Sequence, residues 1–214
     1  MSSDIRSMGE RRKGVQRTLA ALFCGCMAVA TSAHAGTTGS VALTSDYVFR
    51  GVSQTDGKPA LQGGIEYAAE GGFYAGAWGS NISWLSDLSS TAVPISSSLE
   101  LDVYGGYRGK FSDAVSYDVG LLYYAYPGDF PAGFNSADTA EVYAGLTVAA
   151  SDKLSLGAKY SHAVTDLFGY VDSSGSGYLD LSATLAFDGG WSLAAHAGKQ
   201  WIDGNGDFEY SDWK

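Results

Sequence analysis

Apolar and polar residues alternate with a period of two through most of the chain, most plainly from Leu99 to Tyr123. Leu99, Leu101, Val103, Gly105 and Tyr107 fall on one side, and Glu100, Asp102, Tyr104, Gly106 and Arg108 on the other. After a turn over 109–114, Val115, Tyr117, Val119, Leu121 and Tyr123 alternate with Ser116, Asp118 and Gly120. Successive side chains of a strand point to opposite faces, so this stretch predicts a β-hairpin with arms of about ten residues. About 9–11 residues is also what a tilted strand needs to cross bilayer hydrocarbon. Two arrangements fit one such hairpin. Its apolar face meets lipid in a membrane barrel, or points inward in a soluble sandwich or lipocalin-like barrel.

The same pattern predicts strands over 40–49, 60–69, 73–81, 140–149, 154–162, 178–187 and 191–201, with a further one beginning near Tyr210. Connections alternate in length. Short ones fall at 70–72, 109–114, 150–153 and 188–190, and longer ones at 50–59, 82–98, 125–139, 163–177 and 202–209. Short turns at one end and long loops at the other are the habit of outer-membrane barrels, not of sandwiches. Pro59, Pro94, Pro127 and Pro131 all lie in the long set, where no ladder donor is lost. Tyr47, Phe49, Trp84, Tyr123, Tyr126, Tyr160 and Trp201 sit near the long loops, and Phe73, Phe111, Phe187 and Trp191 near the short turns. That placement suggests two interfacial aromatic girdles.

The expected fold is therefore all-β, an antiparallel up-and-down transmembrane β-barrel with nine strands and the start of a tenth. Bacterial barrels have even strand numbers, and the chain stops in mid-pattern at Trp213-Lys214. A C-terminal truncation of a twelve-stranded (or ten-stranded) barrel is the expectation.

Composition narrows this further. The 29 glycines and 14 tyrosines among 214 residues suit an all-β chain, and no apolar run reaches the roughly 18 residues of a membrane helix. Residues 1–35 read as a cleaved secretory signal peptide. Arg6, Arg11, Arg12, Lys13 and Arg17 precede an apolar core over 18–30 and the small-x-small site Ala33-His34-Ala35. Lys13-Gly14-Val15 follows the arginine pair where a twin-arginine signal needs apolar residues, so a plain secretory route is expected. Cys24 and Cys26 both lie in this segment, without a lipoprotein box. Residues 36–214, the expected barrel domain, thus hold no disulfide, thiolate metal site or cysteine nucleophile. Removing two acids and five bases with the signal takes the net charge from -10 to -13. Nucleic acid is excluded as a partner, because there is no excess of cations to neutralise phosphates.

Thr44-Ser45-Asp46-Tyr47-Val48-Phe49-Arg50-Gly51-Val52-Ser53-Gln54-Thr55 resembles the proteobacterial TorF-family porins. So do Gly79-Ser80-Asn81-Ile82, Glu100 to Tyr107, Glu141 to Leu146, Tyr178-Leu179-Asp180 and Tyr210 to Lys214. The resemblance implies an outer-membrane β-barrel of uncertain transport role, and it brings no catalytic residues. Members of that family continue past the Asp-Trp-Lys position.

The residues expected to line the lumen are Glu66, Glu100, Asp102, Tyr104, Arg108, Asp118, Glu141, Tyr143, Lys159, Asp180 and His196. Charges are costly against lipid, roughly 2–4 kcal/mol for a midplane base, so their regular alternation with apolar residues points to an interior. An acidic lumen favours cations or neutral solutes. The competing arrangement pairs Arg108 and Lys159 with carboxylates and closes the interior. Asp203-Gly204-Asn205-Gly206-Asp207 begins like a calcium loop, but Lys214 stands where the bidentate Glu belongs, so an Asx-rich turn is expected. Ser161-His162 face opposite ways, and Ser192 is four residues from His196, too far for a nucleophile–base pair. The expectation is a non-enzymatic outer-membrane channel passing small hydrophilic solutes passively, without cofactor or metal. Its partners would be outer-membrane lipid and those solutes, with the oligomeric state open. A non-conducting structural or adhesion barrel with partner-binding outer loops is the alternative, and an outer-membrane hydrolase a more distant one.

Overall fold

The computed structural model describes residues 35–204 and 208–214. Residues 1–34 of the expected signal segment, with both cysteines, and Asn205 to Asp207 of the candidate calcium loop lie outside them. Ten strands form one antiparallel sheet: β1 (Gly36–Thr44), β4 (Ala60–Ala68), β5 (Phe73–Asn81), β6 (Leu99–Lys110), β7 (Val115–Ala125), β8 (Thr139–Ala149), β9 (Leu154–Ala163), β10 (Gly177–Ala186), β11 (Ser192–Ile202) and β12 (Phe208–Trp213). Each strand pairs with the next in sequence, as in a meander, and β1 passes directly to β4. Between them sits a separate two-stranded ribbon, β2 (Val48–Phe49) and β3 (Val52–Ser53). Among the described residues the one short helical element, a 3-10 turn at Ser86–Leu88, lies in a long connection. No described helix is long and apolar enough to cross a membrane.

One sequence expectation needs correction here. The first strand is expected to run to Phe49 but ends at Thr44. The Asp46 carboxylate accepts hydrogen bonds from Ser53 Oγ (2.6 Å) and Thr55 Oγ1 (3.0 Å), which turns the chain back on itself. Arg50 and Gly51 then make a two-residue turn with φ of 45° and 78°. Positive φ at both central positions is the type I′ geometry that matches strand twist. Among the described residues the sheet is not closed into a barrel: β1 pairs only with β4, and β12 only with β11.

The sheet is nonetheless strongly curled, because the ribbon reaches strands far apart in its order. Tyr47 bonds Glu100 on β6, Phe49 packs on Tyr124 of β7, and Arg50 bonds Glu141 on β8 and Gln200 on β11. The face around the ribbon is polar and buried, whereas the opposite face is apolar and exposed. Leu101, Val119 and Leu181, central on three strands, are 43%, 42% and 51% exposed. Glu100 and Glu141 are each only 2% exposed. A soluble sandwich or lipocalin-like barrel has the reverse polarity.

Glycine and tyrosine interlock across the strands of the inner face. In register, Gly76 stands opposite Tyr104, Gly106 opposite Tyr74, and Gly120 opposite Tyr143. A Cβ on Gly120 would lie 2.6 Å from the Tyr143 hydroxyl and 2.7 Å from the Gly105 carbonyl. The missing side chain thus makes room for a ring lying flat along the sheet, and cross-strand pairs of this kind fix register. Gly120→Val should destabilise by about 1–3 kcal/mol through overpacking, read as a lower urea midpoint of the refolded chain.

Candidate functional site: a charged inner face around a folded-in ribbon

All eleven residues expected to line a lumen share the buried, polar face of the curled sheet. They stand on β4 (Glu66), β6 (Glu100, Asp102, Tyr104, Arg108), β7 (Asp118), β8 (Glu141, Tyr143), β9 (Lys159), β10 (Asp180) and β11 (His196). They divide into three groups.

Nearest the short turns, Arg108 forms a fork with Glu66, Nη1 to Oε1 at 2.6 Å and Nη2 to Oε2 at 3.0 Å. Its Nε reaches Asp118 Oδ2 at 3.3 Å, and its guanidinium lies 3.6 Å from the centre of the Tyr74 ring. Tyr74 donates to Asp118 Oδ1 at 2.5 Å and shares a further bond with the Tyr143 hydroxyl. The Lys159 ammonium stands 4.0 Å from the Tyr143 ring centre. Among the described residues Arg108 is paired with carboxylates as the closed-interior arrangement requires; the ion pairs found do not include Lys159.

On the last strands, His196 lies between two carboxylates, Asp180 at 2.9 Å from Nδ1 and Asp212 at 3.3 Å from Nε2. Tyr178 donates to the other oxygen of Asp212 at 3.0 Å. Carboxylates flank both ring nitrogens, which leaves neither for activating a serine. A pocket of about 370 Å³ opens beside this group, lined by the ribbon residues Val48 and Gly51 and by Ser211, Asp212, Trp213 and Lys214.

The third group surrounds the ribbon itself. Arg50 donates to both oxygens of Glu141 (2.8 and 2.7 Å) and to Gln200 Oε1 (3.0 Å), with its guanidinium between the rings of Tyr178 and Phe49. Burial works against the Arg50 charge, but the adjoining Glu141 carboxylate outweighs it and holds the guanidinium above its ordinary pKa. Tyr47 donates to Glu100 Oε1 at 2.8 Å. The chain after the ribbon is tied to the next long loop, with Ser83 and Trp84 amides donating to the Gln54 carbonyl. Elsewhere on the long loops Asp166 is held below the usual carboxylate range, first by the Asn135 side-chain amide and then by backbone amides such as that of Ser173.

Aromatic placement departs from the expected girdles at the long-loop end. Tyr47, Tyr126 and Trp84 turn inward and pack with Trp78, Ile82, Leu85 and Tyr124, and Phe49 joins them. The ribbon and loops supply an apolar inner layer that takes these rings out of solvent. Tyr123 and Tyr160 do face outward, as do Phe73, Phe111, Phe187 and Trp191 beside the short turns.

Arg50 and Tyr47 are site residues that strand periodicity does not identify, whereas Gln200 falls on the polar face of the expected strand over 191–201, with His196. A signal for these two exists, since Arg50-Gly51 between Val48-Phe49 and Val52-Ser53 has the form of a tight hairpin.

The fold and site thus define an all-β protein of ten antiparallel strands, apolar outside, with a charged inner face packed around a ribbon. The chain belongs to a family described as bacterial protein of unknown function (Gcw_chp), whose model matches residues 27–214. No curated protein and no solved structure matches it.

Proposed function

We propose that the chain is an outer-membrane β-barrel, exported by a cleaved signal peptide, that acts as a narrow passive channel for small cations and neutral hydrophilic solutes. The single observation that carries this is the polarity of the sheet. Large apolar side chains cover the outer face, while Glu66, Glu100, Asp102, Asp118, Glu141 and Asp180 stand on the inner one. Lipid makes that arrangement favourable, and water does not. Sheet closure is supported by the ribbon's position. It begins four residues after β1 ends, a reach of at most about 14 Å, and its Gly51 lies against Asp212 of β12. The two free edges are thereby drawn toward one seam. The resemblance to TorF-family porins agrees with the same assignment, and the excess of carboxylates gives the expected selectivity. No catalytic step is assigned to the site.

Planar-bilayer recording of the refolded full chain tests this. Discrete conductance steps with a reversal potential favouring cations over anions are expected, and a silent bilayer under every salt and voltage would remove the channel. One observation favours a second assignment, a non-conducting structural or adhesion barrel. The ribbon and the Arg108 cluster occupy the interior at two levels. That barrel would insert into lipid with no conductance.

A further inference from the structure

The interior of the curled sheet is occupied at two levels, and the two obstructions are built differently. Nearest the short turns, Arg108, Glu66 and Asp118 belong to β6, β4 and β7, so that cluster stays as long as the strands do. The ribbon at the other level is not part of the main ladder. Among the described residues β2 and β3 form a two-stranded sheet of their own, and Tyr47 and Arg50 bond to the strands through their side chains. The ribbon can therefore leave its place without breaking a single pairing of the ten-stranded sheet.

Docked, the ribbon spans the interior. Its contacts run from Glu100 of β6 through Tyr124 of β7, Glu141 of β8 and Gln200 of β11 to Asp212 of β12. A barrel of about eight strands is just wide enough inside for its own side chains, and width grows only in proportion to strand number. Ten strands leave little more, and a ribbon whose two chains lie about 4.8 Å apart takes that up. Base and tip are secured by separate means. Ser53 and Thr55 close the base on Asp46, and the Ser83 and Trp84 amides fix it to the next long loop through the Gln54 carbonyl. The tip, Arg50-Gly51, is held by the fork to Glu141, by Gln200 and by the rings of Phe49 and Tyr178. There Arg50 keeps its φ of 45°, which only the surroundings enforce. A tip freed from Glu141 relaxes, and it swings about a base that stays tied.

We propose that the ribbon is the gate of the pore: docked through Arg50 and Glu141 it shuts the interior, and withdrawal of its tip toward the long loops opens it. The gate rests on the channel proposed above, and each discrete conductance step is then one departure and return of the ribbon.

Planar-bilayer recording of the refolded full chain and two variants tests the gate. Arg50→Gly suits the left-handed turn and removes the anchor. It should raise the time-averaged conductance at least about tenfold, the change that about 1.4 kcal/mol makes in a docking equilibrium. Replacing residues 47–53 with an alternating Gly-Ser stretch of the same length removes the side chains of Tyr47, Phe49 and Arg50 and should give a pore that stays open. Arg50→Gly carries the test alone if that variant does not fold. Chymotryptic cleavage after Tyr47 or Phe49 reads the ribbon's position apart from conductance, and it should be faster in Arg50→Gly than in wild type. Equal conductance from wild type and variants overturns the gate and leaves the channel standing. Raised conductance without faster cleavage also overturns it, since ions would then pass beside a docked ribbon. Silence from every folded chain overturns the channel and the gate with it, whereas a silent wild type beside a conducting, readily cleaved Arg50→Gly upholds both.

Discussion

Glu141→Ala should destabilise the folded chain by about 3–5 kcal/mol, because it leaves the Arg50 guanidinium buried without its counter-charge. Side-chain exposure at this pair is 7% and 2%, and the contact is a two-pronged fork, the geometry that gains most from a charged partner. The loss also falls on the ribbon. Arg50 holds a left-handed φ of 45°, a conformation that costs a non-glycine residue of order 1–3 kcal/mol and persists only where the surroundings enforce it. Without Glu141 that enforcement falls to Gln200 and the two rings. Urea unfolding of the refolded variant gives the stability, and limited proteolysis between Asp46 and Lys58 reports whether the ribbon is released. An uncharged replacement of both partners, Arg50→Met with Glu141→Leu, should recover most of the loss, since the penalty comes from one stranded charge. A variant with Glu141→Ala alone that keeps wild-type stability and ribbon protection would show that the fork contributes little.

Leu121→Arg has an expected effect whose size depends on the solvent of the outer face. Leu121 lies in the middle of β7 and is 62% exposed. On a water-facing surface such a change falls within about ±0.5 kcal/mol. Near the middle of a bilayer it should cost about 2–4 kcal/mol. Folding titrations into phosphatidylcholine vesicles, compared with the parent chain, measure the difference. Lys110→Leu, at the short-turn end of β6, provides a control that should be nearly neutral. A Leu121→Arg variant that folds as well as the parent and stays soluble without lipid or detergent would defeat the membrane assignment outright.

The strands were legible because each has its own solvent on each side. Between Leu99 and Lys110 every odd position to Val103 is apolar and every charged residue from Glu100 to Arg108 is even, so one register satisfies both faces. Boundaries over Phe73–Asn81 follow from the sequence alone, and those of the other strands, the first excepted, shift by a residue or two at the ends. The ribbon was not legible by that means. Apolar residues recur at odd positions from Val41 to Tyr47 and Phe49, apart from Ser45, and nothing local says that Asp46 will accept from Ser53 and Thr55 and fold the chain inward. The motif most characteristic of the resemblance proves to be this ribbon, with Asp46, Tyr47, Arg50, Gly51, Ser53, Gln54 and Thr55 each occupied in holding it. The inward turn of Trp84 and Tyr126 went unseen for a related reason. An aromatic at a strand end is equally suited to a membrane interface or to an inner apolar layer, and only the presence of the ribbon decides between them.

The ribbon's partners are distant along the chain: Tyr47 meets Glu100 across 53 residues, and Arg50 meets Glu141 and Gln200 across 91 and 150. A segment emerging early in synthesis therefore secures its anchors only when β11 has taken its place. Until then Arg50 and Tyr47 remain hydrated and the curling sheet has a hollow centre. Maturation should thus end with a slow N-terminal docking step, since closing such long loops precedes any gain from the contacts.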